Sequence, residues 1–217
     1  MQIAIGLYEG FTALDAIGPY QVFSQIPGTD VVLCAEQRGR LSDDNDLLHL
    51  EIEHSFDDVP TPDVLLVPGA LITRKLAREG GPIVDWIRAA HETTTYTTSV
   101  CTGALLLGAA GVLDGLPATT HWIAYEHLAS YGALPTEERV VFAGKVVTAA
   151  GVSAGIDLAL TLVGQMHGHD IAQAVQLGIE YDPQPPYDAG APSKAPDHVR
   201  ELVMTVQADA EAKLVAG

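Results

Sequence analysis

A cysteine between two structural signals is the first candidate for chemistry in this chain. Residues 94–100 are mostly β-branched, aromatic or small, which predicts a short buried strand, and helix-forming residues follow at 104–107. Cys101 therefore falls at a strand-to-helix junction, with Gly103 just beyond it. Free N–H groups and the helix dipole at such a junction favour the thiolate, which is the nucleophilic form of cysteine. The alternative is an inert core residue, because free cysteines are commonly buried.

Two other predicted strand ends carry candidate residues. Asp15 follows a predicted strand at 2–8, and Pro19 places the start of the regular helix near itself. Asp15 would then lie in the strand-to-helix crossing, where open α/β sheets place ligands, although aspartate is also a favoured helix cap. Gly69-Ala70 ends a predicted strand at 63–67, so its N–H groups could face an oxyanion or form a plain turn.

The hydrophobic pattern in the rest of the chain predicts strands that alternate with helices. We predict further strands at 31–35, 140–142 and 146–148, a short hairpin at 48–54, a non-helical strap at 181–187, and helices at 14–26, 82–91, 123–131, 156–167, 171–180 and 196–215. This order predicts an α/β three-layer sandwich around a mostly parallel sheet, formed by one domain that covers 1–217. The strand ends at Asp15, Gly69 and Cys101 would converge on one edge, with Ala150-Gly151 as a fourth turn.

Composition excludes several functional classes. The chain has 217 residues and a net charge of −17, which argues against nucleic acid and anionic membranes as partners. We find no apolar run long enough to cross a bilayer and no signal-peptide pattern, and two cysteines make no disulfide framework. We therefore expect a cytoplasmic protein. The acidic tract at 42–46 lacks the glycine and glutamate of a calcium loop, so we expect no metal site there.

Several motifs resemble those of the DJ-1/PfpI superfamily, over nearly the whole chain. They are LDAIGP (14–19), PG (68–69), TSVCTGA (98–104), LGAAG (107–111), ATTHW (118–122), ERVV (138–141), AGID (154–157) and EYDPQPPYDAG (180–190). Within the superfamily, the pattern is similar to that of the isocyanide hydratases. The Thr-His-Trp motif also resembles sensor domains of AraC-type regulators, but we expect no DNA-binding domain in a chain of this length. The resemblance implies a flavodoxin-like fold, a small-molecule substrate, a homodimer, and no metal or organic cofactor.

The resemblance also implies roles for individual residues. Cys101 is similar to a nucleophile on a strained elbow, and Asp15 to the carboxylate that the hydratases place beside the thiol. Thr102 is similar to a residue whose N–H and hydroxyl line the pocket. Gly69-Ala70 resembles a Gly-Gly oxyanion turn in which the second glycine is replaced, and Val152 stands where the hydratases have a larger β-branched residue. These two differences alter the expected pocket shape.

One histidine has two open interpretations. His121, in the Thr-Thr-His-Trp stretch, could orient a thiolate, or it could cap the helix that follows. Lone histidines are more often structural, so spacing alone does not assign it to catalysis.

The implied reaction is the hydration of an isocyanide. A thiolate at Cys101 attacks the isocyanide carbon, and Asp15, protonated through desolvation, delivers a proton. Water then hydrolyses the thioimidate with Asp15 as base, which yields an N-substituted formamide. Two alternatives stay open. One is a glyoxalase-like or deglycase-like enzyme, although relatives of that kind use glutamate beside the cysteine. The other is a non-enzymatic sensor in which Cys101 is oxidised.

Overall fold

A seven-stranded sheet forms the centre of the protein, in a computed structural model that describes the backbone of residues 1–216 and the side chains of residues 1–212. The strands are β1 (Gln2–Gly6), β2 (Asp30–Ala35), β3 (Gly39–Ser42), β4 (His49–Ile52), β5 (His54–Ser55), β6 (Val64–Val67), β7 (Tyr96–Val100), β8 (Pro117–Ala118), β9 (Leu134–Pro135), β10 (Val140–Ala143) and β11 (Val146–Ala149). The helices are α1 (Ala13–Phe23), α2 (Thr73–Glu79), α3 (Pro82–His91), α4 (Gly103–Ala109), α5 (Tyr125–Ala129), α6 (Ala154–His167), α7 (His169–Gly178) and α8 (Asp197–Ala216).

The sheet is parallel except at one edge. Its strand order is β10-β11-β7-β6-β1-β2-β5, and only β10 runs antiparallel to its neighbour. The central strand β6 is a continuous apolar run, buried along its whole length. Parallel strands covered on both faces have this composition, because neither face meets water. The prediction of a mostly parallel sheet is confirmed.

Helices cover both faces of the sheet. On one face α1 packs against α6, and α7 packs on α6 from outside. On the other face α3 and α4 pack against β6, with α2 and α5 beside α4. This arrangement is the three-layer sandwich that the alternating pattern predicts. Within residues 1–216, no helix combines the length and the apolar character that a bilayer span needs.

Some local predictions differ from the structure. The hairpin placed at 48–54 is wrong: β4 pairs with β3, and β5 joins the central sheet beside β2. Alternation of apolar and polar residues indicates a strand but does not identify its partner. The pattern at 48–54 therefore does not separate β4 from β5, which pair with different strands. The short helix α2 was not predicted, because seven residues give little periodicity. The strap at 181–187 has no regular structure, as its prolines predict.

Candidate active site

The predicted strand ends meet at one edge of the sheet. The parallel strands β1, β6 and β7 all end there, so the residues that follow them become neighbours. The Gly69 N–H donates to Oδ2 of Asp15 at 2.8 Å, and the Cys101 N–H donates to the carbonyls of Ala149 and Ala150, both at 3.1 Å. The structure therefore brings together the four turns that the sequence placed at this edge.

Asp15 lies inside a helix, which corrects its predicted position. α1 begins at Ala13, so Asp15 is in its first turn, and Pro19 lies within the helix. A proline at 19 removes the N–H that would bond the carbonyl of residue 15, and its ring crowds that carbonyl, yet α1 continues through it to Phe23. As a result, the Asp15 side chain lies against the turn that follows β6 and is 0 % exposed.

The Asp15 carboxyl has an unusual environment. Burial raises its pKa from 3.8 to about 7, while hydrogen bonding with Gly69 and Cys101 lowers it and the charge of Asp44 raises it further. Among the described residues, Oδ1 has no partner with hydrogen-bond geometry. A buried carboxyl with one free oxygen can both hold and release a proton near neutral pH, which is what general acid–base chemistry needs.

Cys101 has a strained backbone between β7 and α4. Its φ is +57°, in the left-handed region that non-glycine residues seldom adopt, and it is 6 % exposed. A strained residue at a strand-to-helix turn is the geometry that nucleophile elbows use to present a side chain. The Thr120 hydroxyl donates to the Cys101 carbonyl at 2.9 Å and so helps to hold this turn.

The burial of Cys101 opposes the thiolate that the sequence favours. Burial, and next the charge of Asp15, raise the pKa of the thiol. Hydrogen bonds from the N–H groups of Val152 and Thr102, and from the Thr102 side chain, lower the pKa but do not offset the burial. The helix dipole is a weak opposing effect, because α4 is only seven residues long. The proton must therefore leave Cys101 when the thiol reacts, and Asp15 is the adjacent acceptor.

The Gly69-Ala70 turn connects Asp15 to Thr102. Its first N–H is used by Asp15, and its second, on Ala70, donates to Oγ1 of Thr102 at 3.0 Å. The same hydroxyl contacts the Ala70 carbonyl at 3.0 Å. Both predicted oxyanion donors thus already have partners in this structure. An oxyanion role for this pair stays a prediction, and substrate would have to replace one of these bonds.

Val152 supplies another donor at the site. Its φ is +23°, which is a strained value for a β-branched residue, and its N–H faces the Cys101 sulfur. The sequence placed Val152 beside the cysteine, and the structure agrees with that placement.

His121 packs against the turn that contains Gly151. A Cβ added at Gly151 would lie 2.6 Å from Cδ2 of His121, so the imidazole packs directly on this glycine. The His121 Nδ1 accepts from the Ile123 N–H at 3.5 Å and caps the short turn that follows. Burial, and next the charge of Arg74, lower the pKa of His121. These contacts fit the capping interpretation, and the lowered pKa favours the neutral imidazole.

Two residues of the site were not predicted from the sequence. Thr120 holds the Cys101 carbonyl, as described above. Tyr8 is nearly buried, and its hydroxyl donates to the Pro68 carbonyl at 2.7 Å. Burial, and next the charges of Asp15 and Cys101, raise the pKa of Tyr8, so the phenol lies within reach of both groups. One signal could have identified it: Tyr8 follows β1 just as the other site residues follow their strands.

The other predicted features lie outside this site. Cys34 is buried in β2 and its thiol contacts the Ile5 carbonyl at 3.7 Å, which fits the predicted core role. Both cysteines are free. In the part of the chain that the structure describes, no three His, Cys, Asp or Glu side chains are grouped to hold a metal ion.

Comparison with known proteins defines the family. The model of the DJ-1/PfpI family matches residues 1–165, which is most of the chain. The chain belongs to the DJ-1/PfpI family. A solved ThiJ/PfpI family protein from Pseudomonas syringae superposes with a TM-score of 0.90 and 36% identity, over 97% of this chain and 89% of that one. The resemblance that the sequence motifs indicated is confirmed.

Two curated relatives represent the two branches considered above. The isonitrile hydratase of Pseudomonas putida is 42% identical over 92% of this chain and 86% of its own length. The transcriptional regulator GbdR of Pseudomonas aeruginosa, strain UCBPP-PA14, is 27% identical over 81% of this chain, but over only 49% of its own length. The DJ-1/PfpI protein described here is therefore a hydratase-like enzyme by its likeness to a relative of similar extent.

Proposed function

We propose that the protein hydrates isocyanides to N-substituted formamides through a thioimidate on Cys101. The observation that carries this proposal is the buried pair of Cys101 and Asp15, in which a carboxyl with a pKa of about 7 contacts a thiol on a strained turn. The 42% identical relative from Pseudomonas putida is named for this activity, which supports the assignment.

The first half of the reaction forms the thioimidate. The Asp15 carboxylate accepts the thiol proton as the Cys101 sulfur bonds to the terminal carbon of the isocyanide. That carbon gains an electron pair, and the proton now on Asp15 is delivered to it, which gives a Cys–S–CH=N–R intermediate. The pair needs only one proton for this half-reaction, so its apparent pKa belongs to both groups together.

The second half releases the product. Water adds to the thioimidate carbon while Asp15 accepts one of its protons and passes it to the nitrogen. The C–S bond then breaks as the new hydroxyl gives its proton, through Asp15, to the sulfur, so the formamide leaves and the Cys101 thiol is restored. The sum is one isocyanide and one water for one formamide, which balances without a cofactor or a metal.

The surroundings of the pair fit an uncharged substrate. The chain carries a net charge of −17, and a buried carboxyl lies beside the reactive sulfur. An anionic substrate would meet repulsion from both, whereas an isocyanide carries no net charge. We also propose that the protein is a homodimer, because it belongs to the DJ-1/PfpI family. We place it in the cytoplasm because both of its cysteines are free.

Product analysis tests this proposal. The wild-type protein is incubated with an aryl isocyanide, and the loss of the isocyanide infrared band is followed while the formamide is identified by mass spectrometry. We expect turnover by the wild type and by Cys34→Ala, and none by Cys101→Ala. Methylglyoxal serves as the competing substrate. Turnover of methylglyoxal without turnover of isocyanide would replace the proposal with a glyoxalase-like function, and turnover of neither would leave a sensor role.

A further inference from the structure

One peptide group joins Tyr8 to Asp15. The Tyr8 hydroxyl donates to the Pro68 carbonyl oxygen at 2.7 Å. The N–H of the same peptide, which belongs to Gly69, donates to Oδ2 of Asp15 at 2.8 Å. A phenol, a peptide and a carboxyl therefore form a continuous chain of two hydrogen bonds. All of it lies in the buried region between β1, β6 and α1.

This chain has a physical consequence for the carboxyl. Donation to a peptide oxygen polarises the peptide and makes its N–H a stronger donor, so consecutive hydrogen bonds reinforce one another. A stronger N–H donor stabilises the charged form of the carboxylate that accepts from it. The Gly69 N–H is the largest of the influences that lower the pKa of Asp15 against its burial.

The rest of the turn holds this peptide without setting its donor strength. The Thr12 N–H donates to the Gly69 carbonyl at 2.9 Å, and the Ala70 N–H is used by Thr102. A Cβ added at Gly69 would lie 2.9 Å from Oδ2 of Asp15, so the backbone approaches the carboxyl as closely as a glycine permits. The Pro68–Gly69 peptide is the group that bonds to both the phenol and the carboxyl.

We propose that Tyr8 is a positioning residue for Asp15, which acts through the Pro68–Gly69 peptide to aim and strengthen the N–H that holds the carboxylate. Tyr8 does not contact substrate in this account. It sets how readily Asp15 takes up and releases its proton. The consequence for catalysis rests on the proposed function, whereas the titration of Asp15 can be measured in the resting protein.

Other charged groups act on the same carboxyl and must stay constant in the test. They are Cys101 on the turn after β7 and Asp44 on the loop after β3. Asp44 is held by the Thr12 hydroxyl, which donates to its Oδ2 at 2.8 Å. Neither group bonds to the Tyr8 hydroxyl, so removal of that hydroxyl leaves both in place.

Carboxyl ¹³C NMR of aspartate-labelled protein tests the inference. The Asp15 signal is assigned by its absence from Asp15→Asn, and its titration midpoint is compared between the wild type, Tyr8→Phe and Tyr20→Phe. We expect Tyr8→Phe to raise the midpoint by about 0.5–1 pH unit, because the N–H donor weakens. Tyr20→Phe is the matched control, since Tyr20 lies on α1 itself but is partly exposed, and it should leave the midpoint unchanged.

A second substitution covers the case in which Tyr8→Phe does not fold. Incorporation of 3-fluorotyrosine at position 8 keeps the ring and makes the hydroxyl a stronger donor, so the Asp15 midpoint should fall. An Asp15 midpoint that stays unchanged with fluorotyrosine, or that does not rise in a folded Tyr8→Phe, would overturn the inference. If the Asp15 midpoint shifts as expected but the protein turns over no isocyanide, the inference about Tyr8 is upheld and the proposed function is rejected.

Discussion

The Gly69 N–H and the Asp15 carboxylate are 54 residues apart in sequence and are joined by a 2.8 Å hydrogen bond. This bond fixes the carboxyl of α1 against the end of β6. A side chain at 69 would come within 2.6 Å of the Thr102 nitrogen and 2.9 Å of Oδ2 of Asp15, so the contact requires glycine. The turn therefore sets the geometry of the acid–base group and, through Thr102, of the residue next to Cys101.

Substitution of this glycine should damage activity more than stability. Gly69→Ala forces the turn away from Asp15 and Thr102, and we expect isocyanide turnover to fall by about 10²-fold, which is a typical cost of a displaced catalytic group. Unfolding in urea should show a loss of about 1–3 kcal/mol, as overpacking gives. Gly178→Ala is the control, because a Cβ there meets nothing within 4 Å and should change neither. Wild-type turnover in Gly69→Ala would show that the turn does not position the pair.

The raised pKa of Asp15 predicts how stability depends on pH. In the unfolded chain the carboxyl loses its proton near 3.8, but burial keeps it protonated to about 7 in the folded protein. The unfolded state therefore binds fewer protons between these values, and this contribution to the free energy of unfolding falls as pH rises. From pH 5 to pH 8 the loss is about 2–3 kcal/mol.

The stability of Asp15→Asn isolates this contribution. The difference in free energy of unfolding between variant and wild type, measured in urea at several pH values, cancels the titration of groups that the two proteins share. We expect the variant to gain about 2–3 kcal/mol relative to the wild type between pH 5 and pH 8. A difference that does not vary with pH would mean that Asp15 is ionised in the folded protein at both values.

The two cysteines should differ in reactivity. Burial raises the pKa of Cys34 to about 12, and this thiol lies within a strand without a neighbouring base. Burial also raises the pKa of Cys101, but Asp15 can accept its proton. Alkylation followed by intact mass and peptide mapping should therefore modify Cys101 first. The single-cysteine variants Cys34→Ala and Cys101→Ala give the individual rates, and faster modification of Cys34 would contradict the assignment of the nucleophile.

His121 should be dispensable for turnover. Its Nδ1 accepts from a backbone N–H, and an asparagine oxygen can take the same role at a helix start. We expect His121→Asn to keep its rate within about threefold, since removal of a true general base costs about 10²-fold or more. The pH profile of kcat should also be unchanged. A large loss of rate with the fold intact would instead place His121 in the mechanism.

The sequence predicts the meeting of Asp15, Gly69 and Cys101 for a general reason. Parallel strands end on the same edge of a sheet, so residues that follow buried strands become neighbours even when they are far apart in sequence. By contrast, Tyr8 and Thr120 bond to backbone carbonyls 60 and 19 residues away. Every residue carries a backbone carbonyl, so the residue type of the acceptor does not reveal either bond. The position of Tyr8 after β1 indicates only that it lies at the same edge of the sheet.

The burial of Cys101 is the part of the site that the sequence does not show. A cysteine before a helix predicts a lowered pKa, but local sequence does not show how deeply the thiol will lie. The structure leaves Cys101 6 % exposed and next to a carboxyl, and both effects raise the pKa of its thiol. The start of α1 was misplaced for a related reason, because Pro19 suggests a boundary that packing of α1 against α6 overrides.

The steady-state rate of isocyanide turnover by Asp15→Asn tests the central claim, which is that Asp15 moves the proton that Cys101 gives up. The substitution removes the acceptor of the Cys101 proton, but it also removes a charge that raises the pKa of this thiol. Because these two effects oppose each other, we expect Cys101 to stay reactive toward alkylation at neutral pH. Turnover should nevertheless fall by about 10²-fold or more, because an amide cannot shuttle a proton. Full turnover in Asp15→Asn, in a folded protein with a reactive Cys101, would show that the carboxyl only caps α1 and would contradict the account.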